Sequence, residues 1–400
     1  MQIIEKKNLL PFVLVTSMFM LWGVANNMTD TLLAAFKRIM QMSDTQTSFI
    51  QLAFYGAYFC IALPAALFIR RHSYKWGVVL GLVLYAAGAI LFLPAAHTAS
   101  YAFYLIAIYI MASGCSILET ASNPYILSMG SPETATRRLN IAQSFNPIGS
   151  ILGILISKYF ILRDISLYSV SGTYAALGGV LLLVMLVILF SRMPEGQDRA
   201  QQDSVGAAFR RLCRNRRYLG GVVAQFFYVG AQIGVWSFTI RLVMKELQTL
   251  EADAASLYLL SIVGFCLSRF VYSWLMKYVA PRRLLGAGAV LSAGCTLLVV
   301  LLSGRSAVAA LILISVFMSL MFPTIYGLAL EGVEDPARGG HPGDAKIGAS
   351  GLIMAILGGA LLTPLQGMLS DAAGINLSYL VPLFCFGVVL VYALRLRSRS

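Results

Sequence analysis

The sequence predicts an all-α integral membrane protein with 12 transmembrane helices in two pseudo-symmetric six-helix bundles. Three observations carry that expectation. Hydrophobic residues make up 58% of the 400 and charged residues 12%, against roughly 25% charged in a soluble domain. The apolar residues gather into twelve runs, most near the ~20 residues that cross a bilayer. One long polar stretch separates six runs from six.

Taken in order, the first run, 9–36, is too long for the apolar core of a signal peptide, and no small-residue cleavage site follows it. Runs at 46–69 (behind Asp44), 74–95, 101–129, 138–162 and 168–191 complete the first bundle. Those at 218–243, 254–277, 283–302, 305–330, 347–371 and 377–394 form the second. The divisions are therefore 1–191, a linker 192–217, and 218–400. The linker region "SRMPEGQDRAQQDSVGAAFRRLCRNRRYLG" reads as a solvated charged connector or, in part, as a basic amphipathic helix on the membrane surface.

The bundles look related to each other. "LFIRRHSYKWGVVLGLVLYAAG" has a counterpart in "SWLMKYVAPRRLLGAGAVLSAG", with Gly88 falling on Gly294. "ETASNPYIL" and "FNPIGSILG" echo "MFPTIYGLAL" and "MAILGGALL". A duplicated six-span repeat is a layout of secondary transporters, with the substrate site between the halves. Small residues in the fifth and eleventh runs predict close helix packing.

The net charge is +13, and its placement decides what it means. With the N-terminus taken as cytoplasmic, 22 of the 30 Lys and Arg fall on that side and seven on the other, with Arg269 inside a run. The positive-inside rule then predicts both termini in the cytoplasm. The basicity sets topology and touches lipid headgroups, so no nucleic-acid partner is expected. The six cysteines are scattered without metal-ligand or disulfide spacing.

Intramembrane carboxylates cost a few kcal/mol even on lenient insertion scales, and they usually face a cavity or proton path. Two acids are not explained by helix ends: Asp30 and Glu119. Asp30 shares a helical face with Asn26 and Asn27; Glu119 shares one with Ser116, Ser122 and Asn123. In the fifth run Gln143, Asn146 and Ser150 make a third stripe. Converging stripes would form a wet cavity suited to hydroxyls, or serve as interhelical hydrogen bonds alone. Apolar surroundings disfavour the charged form of a carboxyl, so either acid could couple uptake to a proton gradient. The second bundle offers Gln225, Gln232, Trp236, Tyr326, Ser350, Thr363 and Gln366 as further candidates, and its Arg269 is expected to snorkel or to pair with a loop acid.

These residues resemble a known family. The chain is similar, nearly end to end, to the fucose–proton symporter family of sugar permeases within the major facilitator superfamily. The likeness rests on "LWGVANNMTDTLL", "FIQLAFYGAYFCIALPAALFIRRHSYKWG", "LETASNPYILSMG", "RLNIAQSFNPIGS", "FFYVGAQIGVWSF", "FPTIYGLAL" and "GMLSDAAG". It implies the major facilitator fold and import of L-fucose or a related hexose with protons, by alternating access. It places proton coupling and sugar recognition on Asp30 and Glu119, with Asn27 and Gln143 lining the cavity. It implies a bacterial inner-membrane carrier acting as a monomer, with no cofactor beyond the proton. "PAALFIRRHSYKWG" departs from the superfamily's gating motif in lacking its acidic residue and leading glycine. An exporter or antiporter would share the fold. A membrane-embedded enzyme is not expected, because His72, His97 and His341 lie in or beside loops, far apart.

Overall fold

In the computed structural model the described residues are 3–4, 8–39, 44–98, 100–161, 166–194 and 204–396; at 26, 29–39, 44–49, 51, 158, 251–252 and 338 the backbone alone is described. Helices account for all the expected runs. Among the described residues eleven are long and apolar enough to cross a membrane, and the apolar part Leu9–Ala25 of the first helix makes a shorter twelfth. In order the spans are Leu9–Ile39, Asp44–Arg71, Tyr74–Ile90 continued by Phe92–Thr98, Tyr101–Ser128, Ala135–Gln143 with Asn146–Ile156, and Leu167–Phe190. Then come Arg216–Leu247, Glu251–Leu275, Pro281–Leu301, Gly304–Met318 with Met321–Leu330, Asp344–Met354 with Gly358–Ala373, and Ile375–Ser378 with Leu380–Arg395.

Local chemistry sets the ends of these helices. The hydroxyls of Ser73, Ser100 and Ser166 accept from Trp76, Phe103 and Ser169 backbone N–H groups, and Asn215 caps the seventh span through Arg217 and Tyr218. Each satisfies a donor that a helix start leaves open. Arg138, fully buried, closes the fourth span by donating to the carbonyls of Ile126 (2.7 Å) and Leu127 (2.5 Å). Lys75 does the same for the sixth, donating to Leu189 (2.8 Å) and Ser191 (2.9 Å).

Packing repeats between the two sets of six. A methyl added at Gly149 would fall on the carbonyl oxygen of Met20, and one at Gly358 on that of Phe226. The fifth span thus lies against the first as the eleventh lies against the seventh, backbone to backbone, which only glycine permits. The pairing of Gly88 with Gly294 does not extend to packing. Gly88 abuts the backbone of Met111, whereas Gly294 has nothing within 4 Å. In the ninth span the glycine that does abut backbone is Gly288, whose added methyl would lie 2.9 Å from the Phe317 carbonyl oxygen.

Residues Ile3, Pro194 and Leu396 share one side of the bundle with the described part of the linker. There Arg138 donates to Ile3, Tyr125 donates to the Pro194 carbonyl, and Arg282 reaches the Leu396 carbonyl. The linker contains a helix, Val205–Arg214, amphipathic as expected. Its apolar face docks on protein rather than on lipid: Ala208 and Leu212 are buried, and Arg211 grips Asp344 at the start of the eleventh span through two 2.8 Å hydrogen bonds. Phe209 and Arg210 face outward.

Candidate functional site

The two sets of spans meet in a seam on the linker side, formed by the fifth span against the eighth and tenth and by the eleventh against the second and fourth. Thr136 lies against Gly327, and Asn140 donates to Thr324 Oγ1 at 3.2 Å. Arg137 donates to the Ser273 carbonyl at 3.1 Å. Lys346 stands 4.9 Å over the ring of Tyr74, a cation–π contact that crosses the seam. Beneath the seam a cleft of about 890 Å³ opens to the linker side, lined by Glu133, Thr136, Arg214, Arg217, Arg282 and Arg283 among others.

Just above this contact lies a buried polar cluster. Glu119 and Asn123 are one helical turn apart on the fourth span, and Pro124 follows within the same helix. Pro124 carries no N–H, so the carbonyl of Thr120 four residues back has lost its helical donor. Gln143 ends the first segment of the fifth span and donates through Nε2 to Asn123 Oδ1 at 2.8 Å. Tyr326, from the tenth span, lies beside Asn123 and within electrostatic reach of Glu119. All four side chains are buried.

The cluster is incompletely satisfied. Neither oxygen of Glu119 has a hydrogen-bond partner among the described residues, and the same holds for Asn123 Nδ2, the Tyr326 hydroxyl and the Ser122 hydroxyl. Such an orphaned group costs about 1–3 kcal/mol, more if charged. A carboxyl there is relieved by taking up a proton or by donors on an incoming solute. The free amide and phenol match a polyhydroxylated solute in the same way.

The other expected site residues are placed as follows. Asn27 is half-buried on the first span and donates to the Gly23 carbonyl at 3.2 Å. The side chains of Asn26 and Asp30 lie outside the described residues; both positions fall within the helix Leu9–Ile39. Asn146 is half-buried and donates to the Phe19 carbonyl at 3.1 Å, tying the fifth span to the first. Gln232 is half-buried. Trp236 donates through Nε1 to Ser315 Oγ at 3.2 Å and meets the Phe265 ring edge-on. Glu119, Asn123, Gln143 and Tyr326 are therefore brought together, whereas Asn146 and Trp236 have helix-packing partners.

One side chain departs from the sequence reading and one candidate gains definition. Arg269 neither snorkels nor pairs with a loop acid: it is 3% exposed and donates to the carbonyls of Ser319 (2.8 Å) and Gln143 (2.7 Å). Gln225, in the seventh span, is fully buried with both polar atoms unpartnered among the described residues. Gln225 stands in "AQFFYVGAQIGVWSF", seven residues into the run that begins at 218.

A twelve-span bundle with a buried polar cluster at the seam of two six-span sets is a multi-pass membrane transporter. Residues 12–345 match the sequence profile of the Major Facilitator Superfamily. The chain is 40% identical to the L-fucose-proton symporter of Haemophilus influenzae, over 98% of each chain. It is 36% identical to the L-fucose-proton symporter of Escherichia coli K12, covering 99% of this chain and 95% of that one. Its fold is similar to a crystal structure of the superfamily transporter FucP in the outward conformation, with TM-score 0.89, 35% identity, and coverage of 99% and 100%. The chain belongs to the major facilitator superfamily and, within it, to the fucose–proton symporter family. It is a transporter of that family, not an enzyme.

Proposed function

We propose that the chain imports L-fucose or a related hexose together with protons, by alternating access, across a bacterial inner membrane with both termini in the cytoplasm. The observation that carries this reading is the Glu119 carboxyl, buried and unpartnered beside the Asn123–Gln143 pair. The symporters to which the chain is 40% and 36% identical support the solute and the coupling ion. Asp30 and Glu119 carry the protons. Asn26, Asn27, Asn123, Gln143 and Asn146 meet sugar hydroxyls from one side; Gln232, Trp236 and Tyr326 face them from the other. The halves 1–191 and 218–400 rock about the site, joined by 192–217, and one chain suffices.

In this cycle the sugar enters from the side opposite the linker while the linker-side seam is closed. Its hydroxyls supply donors to Glu119 and acceptors to Asn123 Nδ2 and the Tyr326 hydroxyl. Proton uptake neutralises the carboxyls, which removes the cost of carrying charge through the apolar seam.

The test is sugar-driven proton movement in energised cells or vesicles. Import with protons predicts alkalinisation outside on adding L-fucose; acidification would make the chain an antiporter. Asp30→Asn is expected to abolish accumulation against a gradient, and continued accumulation would remove Asp30 from coupling. Glu119→Gln is expected to abolish the pH dependence of sugar exchange. An unchanged profile would make Glu119 a packing residue.

A further inference from the structure

Arg269 makes an unusual pair of contacts. Its acceptors, the carbonyls of Gln143 and Ser319, belong to different six-span sets. Each stands four residues before a proline, Pro147 and Pro323. A proline has no N–H, so the helical bond that would close on the carbonyl four residues back cannot form. The helices break at these places: Ala135–Gln143 gives way to Asn146–Ile156, and Gly304–Met318 to Met321–Leu330. Two vacated carbonyls, one from each set, thus converge on one guanidinium. Its planar fork serves several acceptors at fixed angles, and the Phe265 ring, one turn away on the same helix, lies 4.9 Å from its centre. Arg269 has no carboxylate partner among the described residues.

Gln143 is also the residue whose side chain holds Asn123. The contact that closes the linker side therefore anchors the backbone of a residue in the polar cluster.

We propose that Arg269 is a positioning residue and latch. By capping both proline-vacated carbonyls it closes the two halves on the linker side and fixes Gln143 toward Asn123, so the cluster is assembled only while the latch is made. Opening the linker side pulls the guanidinium off Gln143 and frees that side chain, loosening the sugar where it must leave. This rests on the alternating-access reading above.

The test uses the full chain in proteoliposomes with Cys213→Ser and Thr324→Cys. Thr324 is fully buried in the seam, so a membrane-impermeant maleimide reaches its replacement only when the linker side opens. Against that background Arg269→Gln is expected to speed labelling about tenfold or more, the loss of a charge-assisted hydrogen bond between the halves. Arg269→Lys, which keeps the charge but not the fork, should fall between. Pro147→Ala leaves Arg269 intact but returns an N–H that competes for the Gln143 carbonyl, and should speed labelling several-fold; this variant serves if the Arg269 replacements fail to fold. Transport should show a raised KM for sugar on the far side with kcat less affected, because the competent state is less populated. Equal labelling rates across folded variants would overturn the latch. The labelling needs no sugar, so its outcome stands apart from whether the chain couples sugar to protons.

Discussion

The two six-span sets pack alike and are furnished differently. In both, a glycine lays one span against a neighbour's carbonyl: Gly149 on Met20, Gly358 on Phe226. The polar groups do not repeat. In the first set Glu119, Asn123 and Gln143 are drawn into one cluster. In the second, Gln225, Thr363 and Gln366 keep polar atoms unpartnered among the described residues, and the charged group that reaches the cluster is the Arg269 cation, spent on backbone carbonyls. The two sets share this glycine contact and differ in their buried polar groups. The first set carries the buried carboxyl of Glu119, and the second the guanidinium of Arg269 that donates to the Gln143 carbonyl.

The sharpest way to break the packing half of this comparison is to fill the glycine contacts. Gly149→Val and Gly358→Val are each expected to cost about 3 kcal/mol or more, since the obstacle is backbone rather than a movable side chain. Thermal unfolding of the purified protein measures this. Gly294→Ala, with nothing within 4 Å, should stay within about 0.5 kcal/mol. Tolerance at Gly358 but not Gly149 would mean the packing symmetry is only apparent.

Next in size is the linker. Asp344→Asn keeps the shape of a side chain that is 2% exposed but removes the charge that Arg211, 26% exposed, grips. About 1–3 kcal/mol should be lost, seen as faster proteolysis after Arg210 or Arg211. An unchanged cleavage rate would mean that the burial of Ala208 and Leu212 alone holds the helix.

The helix count and the six-and-six division were legible because each is periodic or compositional. The cluster was half legible. Glu119 and Asn123 are one turn apart on one helix, so spacing alone puts them together. That Gln143 reaches Asn123 required the relative rotation of two helices, which no single span encodes. Asp344 looked like one more helix-end acid, and its burial depends on a linker 133 residues away. Arg269 was misread because its partners are carbonyls, which leave no side-chain signature. The prolines that vacate those carbonyls stood in plain view in "FNPIG" and "MFPTIYG".

The smallest expected effect separates two roles for Trp236. If its worth lies in the 3.2 Å hydrogen bond to Ser315, Trp236→Phe removes one neutral bond between the seventh and tenth spans. Stability should fall by about 1 kcal/mol, and Trp236→Phe should be nearly non-additive with Ser315→Ala. If its worth lies in stacking on the sugar, phenylalanine keeps an aromatic face, and KM should move while the melting temperature does not. Measuring both on one preparation decides whether the second set meets the sugar through this aromatic ring or uses the indole only to hold its own helices in register.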